Sequence, residues 1–334
     1  MLQRTIRSVP GLWASPACLD VSVVIVSYNT REVLRDCLRS LFREVGQVEF
    51  EVIVVDNCSA DRSAEMVADE FPQAVLIENV ENLGFAAGCN RGMVIARGRY
   101  ILLLNPDTVV LDRAIEKTVA YADSHPEAAV VGCQVLCSDG SIQGTCFRYP
   151  SLLNIALSSF GLDRVPFGRR LLGRERMKEW GRDSEREVDV VTGCYMLVRR
   201  ESIEGIGLMD EQYFVYAEEA DWCYRFARAG WKVVFAPVAQ IIHITRGSTS
   251  QVPSAMLVQL EKSLLLFLEK HRGRASRACA RVLFVISGIW HFIAWWCVGI
   301  VDRVCGKDAR RSAARGAAYA AVIRYHLTGL EPKR

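Results

Sequence analysis

The sequence lacks a strong excess of charge of either sign. Its 334 residues include 41 Lys and Arg against 38 Asp and Glu, for a formal net charge of +3. A protein that neutralises a phosphate backbone needs a basic surface, so this balance argues against a nucleic-acid partner. About half of the residues (51%) are apolar, which is sufficient for a large buried core. We expect one large globular domain with an appendage.

The twelve cysteines form no CxxC pair. Several of them lie inside apolar segments, which is typical of buried, reduced thiols in a cytosolic protein rather than of a disulfide framework. The closest pair, Cys133 and Cys137, has no histidine nearby that would favour a zinc site.

The N-terminus lacks the uninterrupted apolar run of a signal peptide, because Pro10 and Pro16 divide it. Residues 1–19 are therefore predicted to be a loose arm. The uncharged apolar stretch 283–301 (LFVISGIWHFIAWWCVGIV) lies near the other end of the chain, at the lower limit of what spans a bilayer. Its tryptophans and basic flanks favour an interfacial or re-entrant helix on a cytoplasmic membrane surface. A full span and a buried helix are the alternatives.

Short β-branched segments alternate with segments of helical periodicity from residue 21 onwards. This pattern predicts an α/β fold with a central, mostly parallel sheet over residues 20–250. Residues 144–187 lose the rhythm and are expected to form long loops and short helices. Residues 251–334 are predicted to be a helical region. The predicted strands are 21–28, 50–55, 74–77, 100–104, 129–135, 188–198, 231–236 and 239–244.

Two common nucleotide-binding motifs are missing. The loop after the first predicted strand reads SYNTRE and contains no glycine, which excludes a dinucleotide-binding fingerprint. Gly84 and Gly88 in NLGFAAG weakly resemble a phosphate loop, but the Walker lysine is absent. Neither NAD nor ATP is therefore supported.

Polar residues follow three of the predicted strands. Ligand sites in open α/β sheets lie at the carboxyl ends of strands, so these residues are expected to face one crevice. Asn29, with Glu32 three residues later, also predicts a capping box at the start of a helix. The polar residues at the strand ends are Tyr28, Asn29, Asp56, Asn57, Ser59, Asn105 and Asp107.

Two of these carboxylates have a chemical and a structural interpretation. Asp56 is suited to accept a hydrogen bond from the imide N–H of a pyrimidine base, or it caps the following turn. Asp107 is a hard oxygen ligand suited to a divalent cation at a pyrophosphate, or it is a turn residue. His243 lies in an apolar strand, where it is either a metal ligand or a hydrogen-bonded core residue.

A predicted helix has three carboxylates within four successive positions, namely Glu218, Glu219 and Asp221. Such a cluster is explained either by a solvated helix start or by catalysis. The aromatic neighbours Phe214, Tyr216 and Trp222 are too apolar for a solvent face. Crowded carboxylates against apolar surface have raised pKa values, which suits a general base near neutral pH.

The blocks containing these residues resemble the family 2 glycosyltransferases of the GT-A fold, especially their bacterial rhamnosyltransferase-like branch. The resemblance extends over roughly residues 21–250 and rests on six blocks in the same order. They are VSVVIVSYNTREVLRDCLRSL, EVIVVDNCSADRS, ENLGFAAGCNRG, YILLLNPDT, VTGCYMLVRR and YFVYAEEADWCYRFARAGW.

The resemblance implies a role for several residues. It implies that Asp56 contacts the base, that Asp107 and His243 bind Mg²⁺ or Mn²⁺ at the donor pyrophosphate, and that Glu219 is the catalytic base. Glu218 and Asp221 stay alternatives for the base, because Glu219 stands where the family has Asp. Asn105 replaces the first Asp of the family's DxD motif. The donor nucleotide site is expected to include the polar strand ends named above together with Asn82 and Gly84.

The implied function is inverting transfer of a sugar from a nucleotide-sugar to a glycan hydroxyl in cell-envelope polysaccharide synthesis. L-rhamnose from a dTDP-linked donor is the expected sugar, although Asp56 should accept uracil and thymine alike. A lipid-linked glycan acceptor and a place at the cytoplasmic face of the inner membrane are also expected. The alternatives are a nucleotide-sugar-binding scaffold without activity and a sugar-phosphate nucleotidyltransferase.

Overall fold

A computed structural model of the chain shows the fold. It describes residues 19–44, 46–162, 175–177, 179–244 and 253–331. Apart from Leu19, the arm predicted at residues 1–19 lies outside the described residues, as does the junction at 245–252 where the domain boundary was expected.

A mixed sheet of nine strands forms the core of the described chain. Its order is β3-β2-β1-β4-β10-β6-β11-β5, and β8 pairs with β11. Strands β1 to β4, β6 and β11 run parallel, while β5, β8 and β10 are antiparallel to their neighbours. Strands β7 and β9 pair with each other in a separate two-stranded sheet. The strands are β1 Leu19–Ser27, β2 Phe50–Asp56, β3 Val75–Glu78, β4 Gly98–Leu104, β5 Thr108–Val110, β6 Ala128–Leu136, β7 Cys146–Phe147, β8 Arg186–Glu187, β9 Val190–Val191, β10 Tyr195–Arg199 and β11 Lys232–His243. The predicted α/β class is confirmed.

Helices lie between these strands or follow them in the chain. Helix α1 places Leu34, Cys37, Leu38 and Leu41 in the main core with the buried residues of β1 and β2, as its apolar stripe predicts. The helices are α1 Arg31–Glu44, α2 Ser63–Glu70, α3 Phe85–Ile95, α4 Ala114–Ser124, α5 Leu152–Ser159, α6 Arg200–Ile206, α7 Glu218–Arg228, α8 Pro253–Arg272, α9 Arg274–Val304 and α10 Arg310–Thr328.

Two strand predictions were wrong in detail. The strand expected at 188–198 is divided into β9 and β10, because Thr192 and Cys194 turn away to bond neighbouring loops: Thr192 N donates to Thr145 O at 3.0 Å, and Cys194 O accepts from Asn105 N at 3.1 Å. The strands expected at 231–236 and 239–244 are one strand, β11, whose register with β6 shifts between Phe235 and Gln240. Pro237 lies in that interval and has no N–H to donate to the ladder.

The described residues form two compact units. The first contains those within 1–149, 176–214 and 218–248, and the second those within 150–175, 215–217 and 249–334. Residues 150–162, which the sequence pattern groups with the larger domain, belong to the second unit because Ile155 of α5 packs with Leu268 and Phe284. Helices α8 and α10 are joined there by a buried hydrogen bond between Glu261 Oε2 and His326 Nε2, 2.6 Å apart.

Helix α9 contains the predicted apolar stretch 283–301. Among the described residues it is the one helix long and apolar enough to cross a bilayer, judged by length and composition only.

Candidate active site

The carboxyl ends of three parallel strands meet at one edge of the sheet. Ser27 at the end of β1 pairs in register with Asp56 at the end of β2, and Val24 pairs with Leu103 near the end of β4. The loops after these strands therefore emerge side by side, as the strand-end pattern predicts. Tyr28 follows β1 directly and is half-buried.

The loop after β1 is tied to the loop after β2 through Asn29. Its side-chain Oδ1 accepts a hydrogen bond from Ala60 N at 2.7 Å, and its backbone N donates to Ser59 Oγ at 2.9 Å. Asn29 has a φ of 53°, in the left-handed region that asparagine tolerates. The predicted capping box of Asn29 with Glu32 was therefore wrong, because the Asn29 side chain is used across the two loops instead.

Asp56 has one bonded and one unbonded oxygen. Its Oδ2 accepts a hydrogen bond from Ser59 N at 2.8 Å, which is the turn-capping role considered from the sequence. Its Oδ1 is buried and has no hydrogen-bond partner among the described residues. Because buried acceptors are nearly always satisfied, this oxygen marks a position where a ligand N–H would bind.

A chain of buried amides lies beside Asp56. Asn57 Nδ2 donates to Gly84 O at 2.9 Å, and Asn79 Nδ2 donates to Asn57 Oδ1 at 2.7 Å. Asn79 also binds the backbone of Asp56, and its Oδ1 is a second buried acceptor without a partner among the described residues. Sequence analysis missed Asn79, although its position directly after β3 was the available signal.

Gly84 brings the third loop close to the backbone of Phe214. Its N–H donates to Asn82 Oδ1 at 3.0 Å, and its φ is +85°. A Cβ at this position would lie 2.2 Å from Phe214 O, the atom that accepts a 2.6 Å hydrogen bond from Phe85 N. Only glycine fits this crossing, which fixes Asn82, Gly84 and the start of α3 beside Asn57.

Asp107 and His243 form a pair at the start of β5 and the end of β11. Asp107 Oδ1 lies 3.1 Å from His243 Nε2, and His243 Nδ1 lies 3.0 Å from Gln143 Oε1. If Gln143 accepts the Nδ1 proton, the Nε2 lone pair of a neutral ring faces a carboxylate, and a cation there would satisfy both groups. Asn105 Nδ2 lies 3.4 Å from the same Nε2. Sequence analysis missed Gln143.

The donor set beside Asp107 fits a cation that shares its ligands with a substrate. The described residues contain no group of three or more His, Cys, Asp and Glu side chains placed to hold a metal. Among the described residues, Asp107 and His243 supply one oxygen and one nitrogen, which leaves coordination positions for phosphate oxygens of a substrate. That arrangement is typical of cations bound through a few protein groups plus phosphate oxygens.

The three carboxylates of α7 differ sharply in their surroundings. Asp221 is fully buried and accepts a 2.9 Å hydrogen bond from Arg225 Nε, while Arg225 also donates to Leu208 O at 2.7 Å. Glu218 and Glu219 instead share a hydrogen bond with each other, and each has a buried Oε2 without a partner among the described residues.

Burial raises the pKa values of both glutamates. The pKa of Glu218 is raised well above its ordinary value by burial and further by the charge of Glu219, and burial also raises the pKa of Glu219. Because two buried carboxyl groups this close titrate as a pair, burial favours a state in which the pair keeps one proton and carries a single charge. One carboxylate of the Glu218–Glu219 pair is then available to accept a proton.

Cys194 connects the acidic helix with Asp107 electrostatically. Burial raises the pKa of the Cys194 thiol to about 11, and the charges of Asp107 and Glu219 act in the same direction. Both carboxylates are therefore within electrostatic range of this one side chain. Asp107 and Glu219 therefore both lie near Cys194 in the first unit.

Comparisons with known proteins identify the family of the chain. The family model described as "Glycosyl transferase family 2" matches residues 22–207, more than half of the chain. An N-acetylglucosaminyl-diphospho-decaprenol L-rhamnosyltransferase of Mycobacterium tuberculosis is 29% identical over 270 residues, which are 75% of this chain and 85% of that protein.

Two solved structures share the fold. GalNAc-T7 with UDP, GalNAc and Mn²⁺ aligns with a TM-score of 0.55 at 17% identity, over 75% of this chain and 48% of that one. The mannosyltransferase PcManGT of Pyrobaculum calidifontis, in complex with GDP-Man and Mn²⁺, aligns with a TM-score of 0.53 at 16% identity, over 94% of this chain and 88% of that one. The predicted GT-A fold is confirmed.

The Gly84 crossing generates a stability prediction. Gly84→Ala should lower the melting temperature strongly, because the new Cβ meets Phe214 O as well as an unfavourable φ. Gly140→Ala is the matched control: its φ is +79°, but no atom lies within 4 Å of the new Cβ. The control should cost only about 1 kcal/mol for the left-handed backbone. Thermal unfolding of both variants checks this, and equal losses would contradict the proposed crossing.

Proposed function

Because the chain belongs to glycosyl transferase family 2 and is a glycosyltransferase, we propose that its donor site binds a pyrimidine-nucleotide sugar. The observation that carries this proposal is the buried, unbonded Oδ1 of Asp56. The imide N–H of uracil or thymine satisfies that oxygen, whereas the hydrogen bond from Ser59 N keeps the other oxygen in place. A UDP- or dTDP-linked donor follows, with Asn57, Asn79 and Asn82 shaping the pocket.

The sugar we propose is L-rhamnose, from a dTDP-linked donor. Support comes from the M. tuberculosis relative, whose name specifies an L-rhamnosyltransferase acting on a diphospho-decaprenol-linked sugar and which aligns over most of both chains. By the same argument the acceptor is a hydroxyl of a lipid-linked glycan in cell-envelope polysaccharide synthesis.

A divalent cation at the donor pyrophosphate is part of the proposal. Asp107 and His243 would hold it, with Gln143 orienting the imidazole ring. When bound, the cation would neutralise charge that develops on the leaving diphosphate. The GalNAc-T7 and PcManGT structures each contain Mn²⁺, which supports a divalent cation at this position.

The proposed base is Glu219. It accepts the proton of the acceptor hydroxyl as that oxygen attacks the anomeric carbon from the face opposite the nucleotide. The bond from the anomeric carbon to the nucleoside diphosphate breaks in the same step, the diphosphate leaves, and the configuration is inverted. Glu218 stays protonated and positions the Glu219 carboxylate through their shared hydrogen bond. Asp221 is held by Arg225 and orients α7 against Leu208, so we propose a structural role for it.

A lipid-linked acceptor requires access to a membrane. We propose that the second unit holds the enzyme at the cytoplasmic face of the inner membrane through α9, the helix with a bilayer-compatible length and composition. A basic sequence around that helix favours a surface of anionic lipid.

The role of Glu219 can be tested by isosteric substitution. Glu219→Gln should reduce kcat by about 10²- to 10⁴-fold, because the amide cannot accept the acceptor proton. The variant should still bind nucleotide, as measured by its thermal stabilisation. Glu218→Gln is the matched control and should keep most of the activity, because an amide N–H still donates to Glu219. If Glu218→Gln were the inactive variant and Glu219→Gln the active one, the two roles would have to be exchanged.

The buried Glu218 also predicts a pH dependence of stability. Its folded-state pKa lies above its unfolded value, so the stability it contributes is complete below the unfolded pKa and is lost as pH rises through the folded pKa. Glu218→Gln stays neutral and avoids this loss. The variant should therefore be more stable than the wild type at pH 8, with a smaller difference at pH 5. Urea unfolding at both pH values, with the exposed Glu81→Gln as control, measures it; a difference independent of pH would contradict it.

The cation ligands predict a metal-dependent donor affinity. The melting temperature of the wild type should rise more with dTDP or UDP plus manganese than with the nucleotide alone. The reason is that the nucleotide and the cation together bind only the native state. Asp107→Asn should abolish the metal-dependent part, and Gln143→Ala should weaken it about 10- to 100-fold in cation concentration by freeing the imidazole. The exposed Gln47→Ala serves as control. Equal stabilisation with and without manganese in the wild type would exclude this cation site.

A further inference from the structure

Helices α9 and α10 pack against each other in antiparallel fashion along the whole apolar stretch. At one end the ring of Phe284 stacks on His326 with centroids 5.5 Å apart, and at the other Ser312 Oγ lies 3.1 Å from Asp302 Oδ2. The intermediate contacts are His291 with Tyr319 at 4.7 Å between ring centroids, and the Arg315 guanidinium 4.9 Å from the centroid of the Trp295 ring. No part of residues 284–302 therefore leaves its partner helix.

Small residues make this close packing possible. A Cβ at Gly288 would lie 3.0 Å from Ile323 Cγ1, and one at Gly299 would lie 3.4 Å from Ser312 Oγ. Arg281 adds a hydrogen bond from its Nε to His326 O at 2.8 Å. The two helices are therefore one structural element, and any movement of α9 into a bilayer carries α10 with it.

Helix α10 is unsuited to the hydrocarbon region. It begins with Arg310 and Arg311 and carries exposed Arg315 and Arg324 further along. Arg315 contacts Trp295, near the middle of the apolar stretch, so a membrane-spanning α9 would place this guanidinium near the bilayer centre. An arginine at that depth is costly in every measured or calculated scale.

The opposite face of α9 presents a continuous apolar stripe. Its residues recur at alternating intervals of four and three, which places them on one side of a helix. Trp296 belongs to this stripe and Trp290 lies beside it, and each is 61% exposed. The stripe consists of Val282, Ile286, Ile289, Ile293, Trp296 and Ile300, all exposed.

The surroundings of the stripe are basic. Residues 274–331 carry nine arginines and lysines against three acidic residues, Asp302, Asp308 and Glu331. The basic residues are Arg274, Arg277, Arg281, Arg303, Lys307, Arg310, Arg311, Arg315 and Arg324. A charge of this sign next to an apolar face complements the surface of a bilayer that contains anionic lipid.

We propose that the α9–α10 pair lies in the plane of an anionic membrane surface and does not cross it. The stripe of α9 enters the boundary between headgroups and acyl chains, the tryptophans lie at that boundary, and the arginines of α10 stay at the phosphate level. This inference rests on the proposed membrane location for its choice of partner. It adds the mode of binding, which the length and composition of α9 alone leave undecided.

Two native cysteines report the mode of binding. Cys279 and Cys305 are both exposed and lie on either side of the apolar stretch. In the full-length protein bound to preformed phosphatidylcholine–phosphatidylglycerol vesicles, a membrane-impermeant maleimide added outside should label both cysteines, as read by peptide mass spectrometry. If only one of them is labelled until detergent is added, α9 spans the bilayer and the proposal is overturned.

A second measurement tests the stripe itself. The double variant Ile286→Glu and Ile293→Glu should co-float with these vesicles at least 10-fold less than the wild type. The control Val80→Glu, at a 94% exposed position of the first unit, should co-float as the wild type does. Flotation with pure phosphatidylcholine vesicles should be weaker than with the anionic mixture. Unchanged flotation of the double variant would overturn the proposal.

The failure of this inference differs from failure of the proposed function. Thermal stabilisation by dTDP or UDP with manganese is measured on the same samples without vesicles. Nucleotide binding without vesicle binding overturns only the membrane surface, and vesicle binding without any nucleotide response overturns only the donor site.

Discussion

The parallel pairing of β1 with β2 and β4 is the constraint on which the site depends. β1 is buried on both faces, so its Val and Ile side chains hold it at the centre of the sheet. Register then follows: once Ser27 pairs with Asp56, the loops after the two strands must leave the sheet together. The hydrogen bonds of Asn29 to the Ser59 loop are available only in that register. A slip by one residue would turn Asp56 away from its loop.

At the edge that this pairing creates, the protein buries polar atoms that it does not itself satisfy. Asp56 Oδ1, Asn79 Oδ1 and the Oε2 atoms of Glu218 and Glu219 are all of this kind. Each unpaired buried acceptor costs stability, so four of them in one unit are hard to explain as packing. They are explained if N–H and O–H groups of the donor and acceptor substrates form hydrogen bonds with these atoms. Asp221, buried but paired with Arg225, shows that the same helix satisfies a carboxylate where no ligand is needed.

Much of this arrangement could be predicted from local sequence. Strand and helix periods gave the α/β class, and polar residues after apolar runs gave the loops at the sheet edge. What failed were features decided by distant partners. Asn29 has the spacing of a helix cap, yet Ala60, across the crevice, uses its oxygen. Asn79 and Gln143 are ordinary polar loop residues until folding places them against Asn57 and His243, 22 and 100 positions away along the chain.

The same distinction applies to the apolar helix. Composition and length describe α9 as a candidate span, whereas its tryptophans and basic flanks favour a helix that lies at the interface. The deciding residue is outside that stretch: Arg315 is brought to Trp295 by an antiparallel partner whose small residues and arginines look unremarkable in sequence. When an apolar helix is packed against a charged helix, the cost of burying the charged helix decides whether the pair enters the hydrocarbon region. The proposed mode of bilayer binding is therefore a property of the helix pair, whose close packing depends on the glycines at 288 and 299.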